Sequence, residues 1–215
     1  MRNHFDEQLE QLNRDLTKMG SLCEEIIALA AKALTSWEDD LVKRVAAMDA
    51  EIDKMERTIE SLCLRLLLQQ QPVATDLRVV SAALKMITDM ERIGDQAEDI
   101  AEIITFLKGR VAPESVQIGE MAKETIAMVT GSVEAYVDKD LERAQKVLAH
   151  DDIVDTYFDC VKKNLIEMIA RNPEDGEFAL DLLMIAKYFE RIGDHATNIA
   201  EWVQFSVTGV HQSAE

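Results

Sequence analysis

Residues 79–107 read VVSAALKMITDMERIGDQAEDIAEIITFL, and their apolar side chains recur at alternating steps of four and three residues. The positions that keep this step are Val79, Ala83, Met86, Met90, Ile93, Ala97, Ile100, Ile104 and Leu107. This heptad-like pattern is typical of a long helix that packs against neighbours with nearly parallel axes. The stretch therefore predicts one continuous helix within an all-α protein.

Much of this stretch returns later in the chain. Residues 84–106 match residues 183–205, LMIAKYFERIGDHATNIAEWVQF, and each copy contains the pentapeptide ERIGD. A segment before the first copy fits its counterpart at a slightly larger offset, which pairs Ile52-Asp53 with Val154-Asp155. The chain therefore consists of two copies of one unit, which we predict to span residues 1–110 and 111–215.

Each unit is predicted to contain three helices. In the first, one helix runs from about Phe5 to Ser36 and ends near WEDD at 37–40. A second helix follows the apolar series Leu41, Val45, Met48, Ile52, Met55, Ile59 and Leu62. It ends at QQQP, residues 69–72, because proline disfavours helical geometry in the residue before it. Six helices of about thirty residues each predict two three-helix bundles in tandem, joined by KGRVAP at 108–113.

Composition limits the classes of function. With 47% hydrophobic residues the chain can bury a core, and its net charge of -18 repels nucleic acid and anionic lipid surfaces. Cys23, Cys63 and Cys160 lie far apart among apolar neighbours, which favours reduced thiols over a disulfide framework. No apolar run approaches the roughly 18 residues of a membrane span, and no hydrophobic signal region opens the chain. We expect a cytosolic protein that neither binds nucleic acid nor inserts into a membrane.

Acidic residues lie beside the predicted apolar core face on two helices of each copy. In the first copy they are Glu91, Asp95, Glu98 and Glu102 on the third helix and Asp49, Asp53, Glu56 and Glu60 on the second. In the second copy they are Glu190, Asp194 and Glu201 on the last helix and Asp151, Asp155 and Asp159 on the one before it, with Asn198 near the place of Asp99. Carboxylates four residues apart on a helix repel one another unless a positive charge intervenes.

Two interpretations of these acids stay open. They are either solvated faces relieved by nearby arginines and lysines, or binding sites for cations. All-carboxylate ligands favour Mg, Ca, Mn or Fe over a structural zinc site. His195 and His150 stand beside the second set without counterparts in the first, which favours surface or supporting positions over required ligands.

The glycine inside ERIGD is unusual in the interior of a helix. Gly94 and Gly193 each cost about 1 kcal/mol relative to alanine. They therefore predict close approach of another group to the backbone, with a crossing helix as the simplest candidate.

Three stretches together resemble the PhoU family of phosphate-uptake regulators. They are FDEQLEQLNRDLTKMG at 5–20, QQQPVATDLRVVSAALKMITDMERIGDQAEDIAE at 69–102 and ERIGDHATNIAE at 190–201. The resemblance covers essentially the whole chain and implies a cytosolic protein of two three-helix bundles. It also implies a regulator that connects a phosphate ABC transporter ATPase to a sensor histidine kinase and represses the phosphate-starvation response when phosphate is plentiful.

The same resemblance implies iron or zinc clusters on acidic surface motifs, and Mg or Mn remains compatible with the ligand types. The residues it indicates as ligands are Asp49, Asp53, Glu91, Asp95, Asp99, Asp151, Asp155, Glu190, Asp194 and Asn198. Asn198 departs from the acidic pattern, because an amide brings no charge, so the second site is expected to be weaker.

Two other functions compete with regulation. A ferritin-like di-metal enzyme also draws acids from facing helices, but such bundles use Glu-x-x-His, which is absent here, and project their acids inward. A coiled-coil spacer would bind neither metal nor partner. No phosphate-cradling GxxxxGK[ST] loop or GxGxxG turn is present, so we expect a binding protein and not an enzyme. The run of leucines at 64 and 66–68 leaves room for a homodimer contact.

Overall fold

The computed structural model describes residues 2–36, 39–69 and 74–210, and this part of the chain contains six α-helices and no strand. The helices are α1 (Arg2–Thr35), α2 (Asp39–Gln69), α3 (Ala74–Phe106), α4 (Ile118–Asp138), α5 (Leu141–Arg171) and α6 (Gly176–Thr208). The prediction of an all-α protein with one long helix over the first ERIGD is confirmed.

One helix is shorter than predicted. α4 has 21 residues, where about thirty were expected. Gln117 and Lys139 flank this helix in left-handed conformations, and the Lys139 N–H bonds back to the carbonyls of Ala135 and Tyr136. Directly afterwards, the Asp140 side chain accepts a 3.0 Å hydrogen bond from the backbone N–H of Arg143 and caps α5. A second helix start so close to the end of α4 leaves no room for a longer helix.

The predicted connections agree with the helix ends where the structure describes them. α2 ends at Gln69, whereas residues 70–73, with the proline of QQQP, lie outside the described residues, as do residues 37 and 38 of WEDD. A short 3₁₀ turn, Pro173–Asp175, separates α5 from α6. The boundary predicted at 110/111 falls between α3 and α4.

The helices form two bundles that lie side by side. α1, α2 and α3 pack on one another, and so do α4, α5 and α6. The bundles join through α1 against α4 and α3 against α6, while α2 and α5 lie on the outer sides. In the α1–α4 contact, a Cβ on Gly20 would come within 2.8 Å of Val133 Cγ1, so glycine permits this approach. The two copies therefore share one interface of four helices.

α3 and α6 run antiparallel in a register centred on the two ERIGD motifs. Asp89 lies opposite Asn198, and Asp99 lies opposite Tyr188. At the repeat offset of ninety-nine, Asp89 corresponds to Tyr188 and Asp99 corresponds to Asn198. The repeat therefore exchanges these two pairs of facing residues. The two bundles are thus related by an approximate two-fold axis whose centre falls midway, at Gly94 and Gly193.

The core consists of the apolar positions that the sequence periodicity selected. Of the series from 79 to 107 all are buried except Val79, which is partly buried, and Met48 is the partly buried member of the α2 series. The leucine run is divided: Leu66 is fully buried, and Leu68 is 82% exposed. Cys23, Cys63 and Cys160 are free thiols. None of the described helices has an apolar stretch long enough to cross a membrane.

Candidate functional site

Two acidic grooves lie along the outer helix pairs, one in each bundle. The first groove, between α2 and α3, is lined by Asp49, Asp53, Glu56, Glu91, Asp95 and Glu98. The second groove, between α5 and α6, is lined by Asp151, Asp155, Glu190 and Asp194. In each groove, acids on one helix lie near enough to acids on the other to raise a carboxyl pKa there. Acids of the two helices in each pair therefore lie close enough to interact electrostatically.

Asp49 is the most perturbed acid of the first groove. Burial, with the negative charges of Glu98, Asp53, Asp95 and Glu91, raises its pKa to about 6. Its Oδ1 is buried and has no hydrogen-bond partner. A carboxylate oxygen left without a donor or a cation is energetically unfavourable, because burial removes its hydration without replacement.

The glycine of the first ERIGD makes room for that oxygen. A Cβ on Gly94 would lie 2.7 Å from Asp49 Oδ1 and 3.3 Å from Ile52 Cδ1. The close approach predicted from the sequence is thus real, and it involves an acidic side chain of α2 as well as an apolar one. The motif combines the acids of α3 with a gap through which an acid of α2 reaches the α3 backbone.

Arginines neutralise the outer edge of the first groove. Arg92 Nη1 donates to Asp95 Oδ2 at 2.8 Å, and its Nε lies 3.5 Å from Glu91 Oε2. Arg57 Nη1 lies 3.5 Å from Asp53 Oδ2. Both arginine side chains are more than half exposed, so they pair from the solvent side. The alternative interpretation, an arginine-relieved acidic face, therefore describes part of the groove but not Asp49.

The second groove has the same plan with a different interior. Burial, followed by Asp155, Asp194, Asp152 and Glu190, raises the pKa of Asp151 to about 6. Asp151 Oδ1 would lie 3.7 Å from a Cβ on Gly193, a full ångström farther than in the first copy. Glu190 Oε2 is buried without a regular hydrogen bond, but the Lys187 ammonium forms an ion pair with it.

Asp99 and Asn198 lie at the seam between α3 and α6 and contact the opposite bundle. Asp99 accepts a hydrogen bond from Tyr188, and Asn198 Nδ2 donates to Asp89 Oδ1 at 3.1 Å. His195 Nδ1 lies 2.9 Å from the same Asp89 oxygen. These residues join the two bundles next to the grooves, and the prediction that Asp99 and Asn198 are ligands stays a prediction.

The histidines occupy supporting positions. His195 contacts Asp89 across the seam, and His150 Nε2 lies 2.7 Å from Glu124 Oε2 between α5 and α4. Each ring thus holds an acid that belongs to neither groove.

The donor set of the first groove fits a hard or borderline cation, although it is not closed around one. Within the described ranges, no three His, Cys, Asp or Glu side chains converge closely enough to form a ready-made metal site. Two observations nevertheless match what a cation requires: six carboxylates face one groove, and the Asp49 oxygen against Gly94 lacks a partner. The same residues could hold iron, zinc, magnesium or manganese.

Sequence reasoning missed four residues that shape the site: Lys187, Phe158, Asp89 and Tyr188. Comparison of the two copies contained the signal. Lys187 stands where the first copy has Thr88, and Phe158 stands where it has Glu56. A basic and an aromatic residue facing a stripe of acids indicate a groove with different chemistry.

The acids do not form a buried centre. No Asp or Glu of the described residues is among the buried ones, and the buried polar side chains are Gln96, Thr125, Ser132, Gln204 and Ser206. Inward-projecting carboxylates, which the di-metal enzyme alternative requires, are therefore not found in this part of the chain.

Two antiparallel-packed three-helix bundles, each with an acidic groove at the same repeated motif, define a tandem helical-repeat protein with paired surface sites. The PhoU domain matches this chain twice, at residues 16–104 and 118–203. The chain belongs to the PhoU family.

Relatives of known name and structure agree with this assignment. The chain is 34% identical to the phosphate-specific transport system accessory protein PhoU homolog of Clostridium acetobutylicum, over 97% of this chain and 96% of that protein. It is similar to the crystal structure of PhoU from Pseudomonas aeruginosa, with a TM-score of 0.90, 32% identity and coverage of 96% and 100% of the two chains. PhoU from Streptococcus pneumoniae gives a TM-score of 0.87 at 26% identity, with 98% and 100% coverage.

Proposed function

We propose that this protein is a cytosolic accessory regulator of a phosphate-specific transport system, acting as an adaptor between the transporter's ATPase and a sensor histidine kinase. The observation that carries the proposal is the double match to the PhoU domain, with relatives over nearly the full length whose names assign them to phosphate-specific transport. Regulation by binding is also consistent with acids that line surface grooves and not a buried centre.

The adaptor role predicts a phenotype in the host organism. Deletion of the gene should raise expression of phosphate-starvation genes in phosphate-rich medium, because the kinase would no longer be repressed. A reporter for one such gene measures the effect, and the wild-type gene supplied in trans should restore repression. Full repression in the deletion strain would contradict the adaptor role.

We propose further that the grooves bind iron or zinc as surface clusters, with magnesium or manganese as alternatives. The ligands would come from Asp49, Asp53, Glu91, Asp95 and Asp99 in the first copy and Asp151, Asp155, Glu190, Asp194 and Asn198 in the second. The partnerless Asp49 oxygen and the shared acidic groove support this proposal.

Metal analysis of protein purified without chelator tests it. Glu91→Ala combined with Asp95→Ala should lower the bound metal per chain, because the variant removes two carboxylates of one groove. A matched control replaces Glu10 and Glu142, exposed acids outside both grooves, and should retain the wild-type metal content. Equal metal content in both double variants would contradict the proposed sites.

A further inference from the structure

The two grooves differ in whether the fold supplies its own positive charge at a buried oxygen. In the second groove, the Lys187 ammonium pairs with Glu190 Oε2, an oxygen that is itself buried. The Glu190 side chain is only 17% exposed, whereas the arginine pairs of the first groove involve acids at 21–36% exposure. Lys187 thus reaches an interior oxygen, and Arg57 and Arg92 pair at the edge.

An aromatic ring supports the lysine. Lys187 Nζ lies 5.4 Å from the centroid of the Phe158 ring, within the range of a cation–π contact. At the corresponding positions of the first groove stand Thr88, whose hydroxyl donates to the Leu84 carbonyl, and the acidic Glu56. Two differences between the copies therefore act together, since one adds a cation and the other replaces a carboxylate by the ring that holds it.

The other charged residues also differ between the grooves, with more positive charge near the acids of the second groove and more negative charge in the first. Lys187 and His195 oppose the rise in the pKa of Asp194, which burial and Glu190 cause. The first groove contains Glu98 where the second has Thr197, and Glu98 is among the acids that raise the pKa of Asp49. The first groove therefore holds more carboxylates and leaves one of their oxygens, Asp49 Oδ1, without a partner.

We infer that Lys187 is a built-in counter-ion of the second groove, and that divalent cations from solution consequently bind preferentially in the first groove. The second part rests on the proposed cation binding and assigns it to one of the two copies. The ammonium occupies the position at Glu190 that a metal ion would need, and a cation entering there would meet a like charge held in place by Phe158.

The counter-ion role is tested in metal-free protein, so it does not depend on cation binding. Lys187→Met keeps an unbranched side chain of similar size and removes its charge, and we expect it to lower Tm by about 3 °C or more, because Glu190 loses its partner. The matched control is Lys123→Met, since Lys123 also forms an i,i+3 ion pair but is 70% exposed. It should shift Tm by less than about 1 °C. Equal shifts in the two variants would overturn the role of Lys187.

The preference between grooves is tested with Mn²⁺ as the probe and Tm as the measurement. Glu91→Gln with Asp95→Asn should remove most of the Mn²⁺-dependent rise in Tm, whereas Glu190→Gln with Asp194→Asn should leave most of it. Adding Lys187→Thr to the first double variant should restore a Mn²⁺ response, because threonine is what the first groove has at this position. A larger loss of the Mn²⁺-dependent rise in Tm in the second double variant than in the first would overturn the preference.

A third result separates the two proposals. If wild-type protein shows no Mn²⁺, iron or zinc response, cation binding and the preference both fail. The metal-free comparison of Lys187→Met with Lys123→Met then still decides whether Lys187 is a counter-ion.

Discussion

The first and second grooves come from copies of one unit and have the same helices in the same order, yet they balance their acids differently. In the first, Asp49 reaches Gly94 and keeps a partnerless oxygen. In the second, Asp151 Oδ1 lies farther from Gly193, and Lys187 forms an ion pair with Glu190. Two copies of one unit can thus keep the same helix packing while one copy neutralises a groove acid with a lysine of its own.

The packing beneath the grooves should give the largest effect on stability. Ile52 and Val154 are corresponding, fully buried residues that lie against Gly94 and Gly193. Ile52→Ala should lower the free energy of unfolding by about 3 kcal/mol, and Val154→Ala by about 1 kcal/mol less, because a smaller side chain leaves a smaller cavity. Denaturant unfolding measures both values. A larger loss for Val154→Ala would mean that the two bundles differ in packing as well as in charge.

Ionisation of the groove acids should make the stability of the metal-free protein depend on pH. Asp49 and Asp151 have pKa values of about 6, above the ordinary 3.8, so between about pH 4 and pH 6 the folded state binds more protons than the unfolded state. Stability is therefore lost as pH rises through this window.

Asp49→Asn should remove part of this loss and stabilise metal-free protein at pH 7.5 by about 1 kcal/mol, a value reduced for solvent screening. Asp151→Asn should behave similarly. Unfolding measured at pH 4.5 and pH 7.5 gives the difference, and a variant as sensitive to pH as wild type would show that another group titrates.

Alanine substitutions at the two motif glycines should differ by about 1 kcal/mol in their effect on the free energy of unfolding. At Gly193 the new Cβ would meet its neighbours at 3.6–3.7 Å, an ordinary contact, so Gly193→Ala should be stabilising by about 0.5–1 kcal/mol through helix propensity. At Gly94 the Cβ would lie 2.7 Å from Asp49 Oδ1, and displacement of that side chain should cancel the gain. Combining Gly94→Ala with Asp49→Ala should recover part of it, because Ile52 Cδ1, 3.3 Å from the new Cβ, must still shift slightly. Equal effects of the two single variants would contradict the difference in spacing.

The seam should give the smallest effect. Tyr188→Phe removes one hydrogen bond to Asp99 on a partly exposed surface and should cost about 0.5 kcal/mol in the free energy of unfolding. Its two-fold counterpart, the contact of Asn198 with Asp89, is retained in this variant and serves as the internal control. A cost above about 2 kcal/mol would indicate that the whole seam depends on Tyr188.

Much of the fold could be predicted from the sequence because helix periodicity is local. The step of four and three selects the buried face of α2 and α3 without reference to any other part of the chain, and repetition of ERIGD extends the result to the second bundle. The length of α4 was predicted wrongly, since its ends depend on backbone conformations at Gln117 and Lys139 that apolar spacing does not encode.

The sites were predictable in part for the same reason. The stripes of acids on α2, α3, α5 and α6 are local patterns, so their residues could be named in advance. Lys187 could have been noticed from its counterpart Thr88, and its spacing of three residues from Glu190 is local, but its contact with Phe158 depends on how α5 packs against α6.

By itself, the sequence determined that this is an all-α protein of two homologous units with acids beside the apolar core faces of their helices, because helix period and repetition are properties of the linear chain. The tertiary structure alone decided that α3 and α6 pack in a register centred on the two motifs, that Asp49 Oδ1 reaches Gly94 without a hydrogen-bond partner and that Phe158 of α5 lies against Lys187. Those outcomes depend on distances between helices, which arise only when the apolar faces pack and bring charges from distant parts of the chain together.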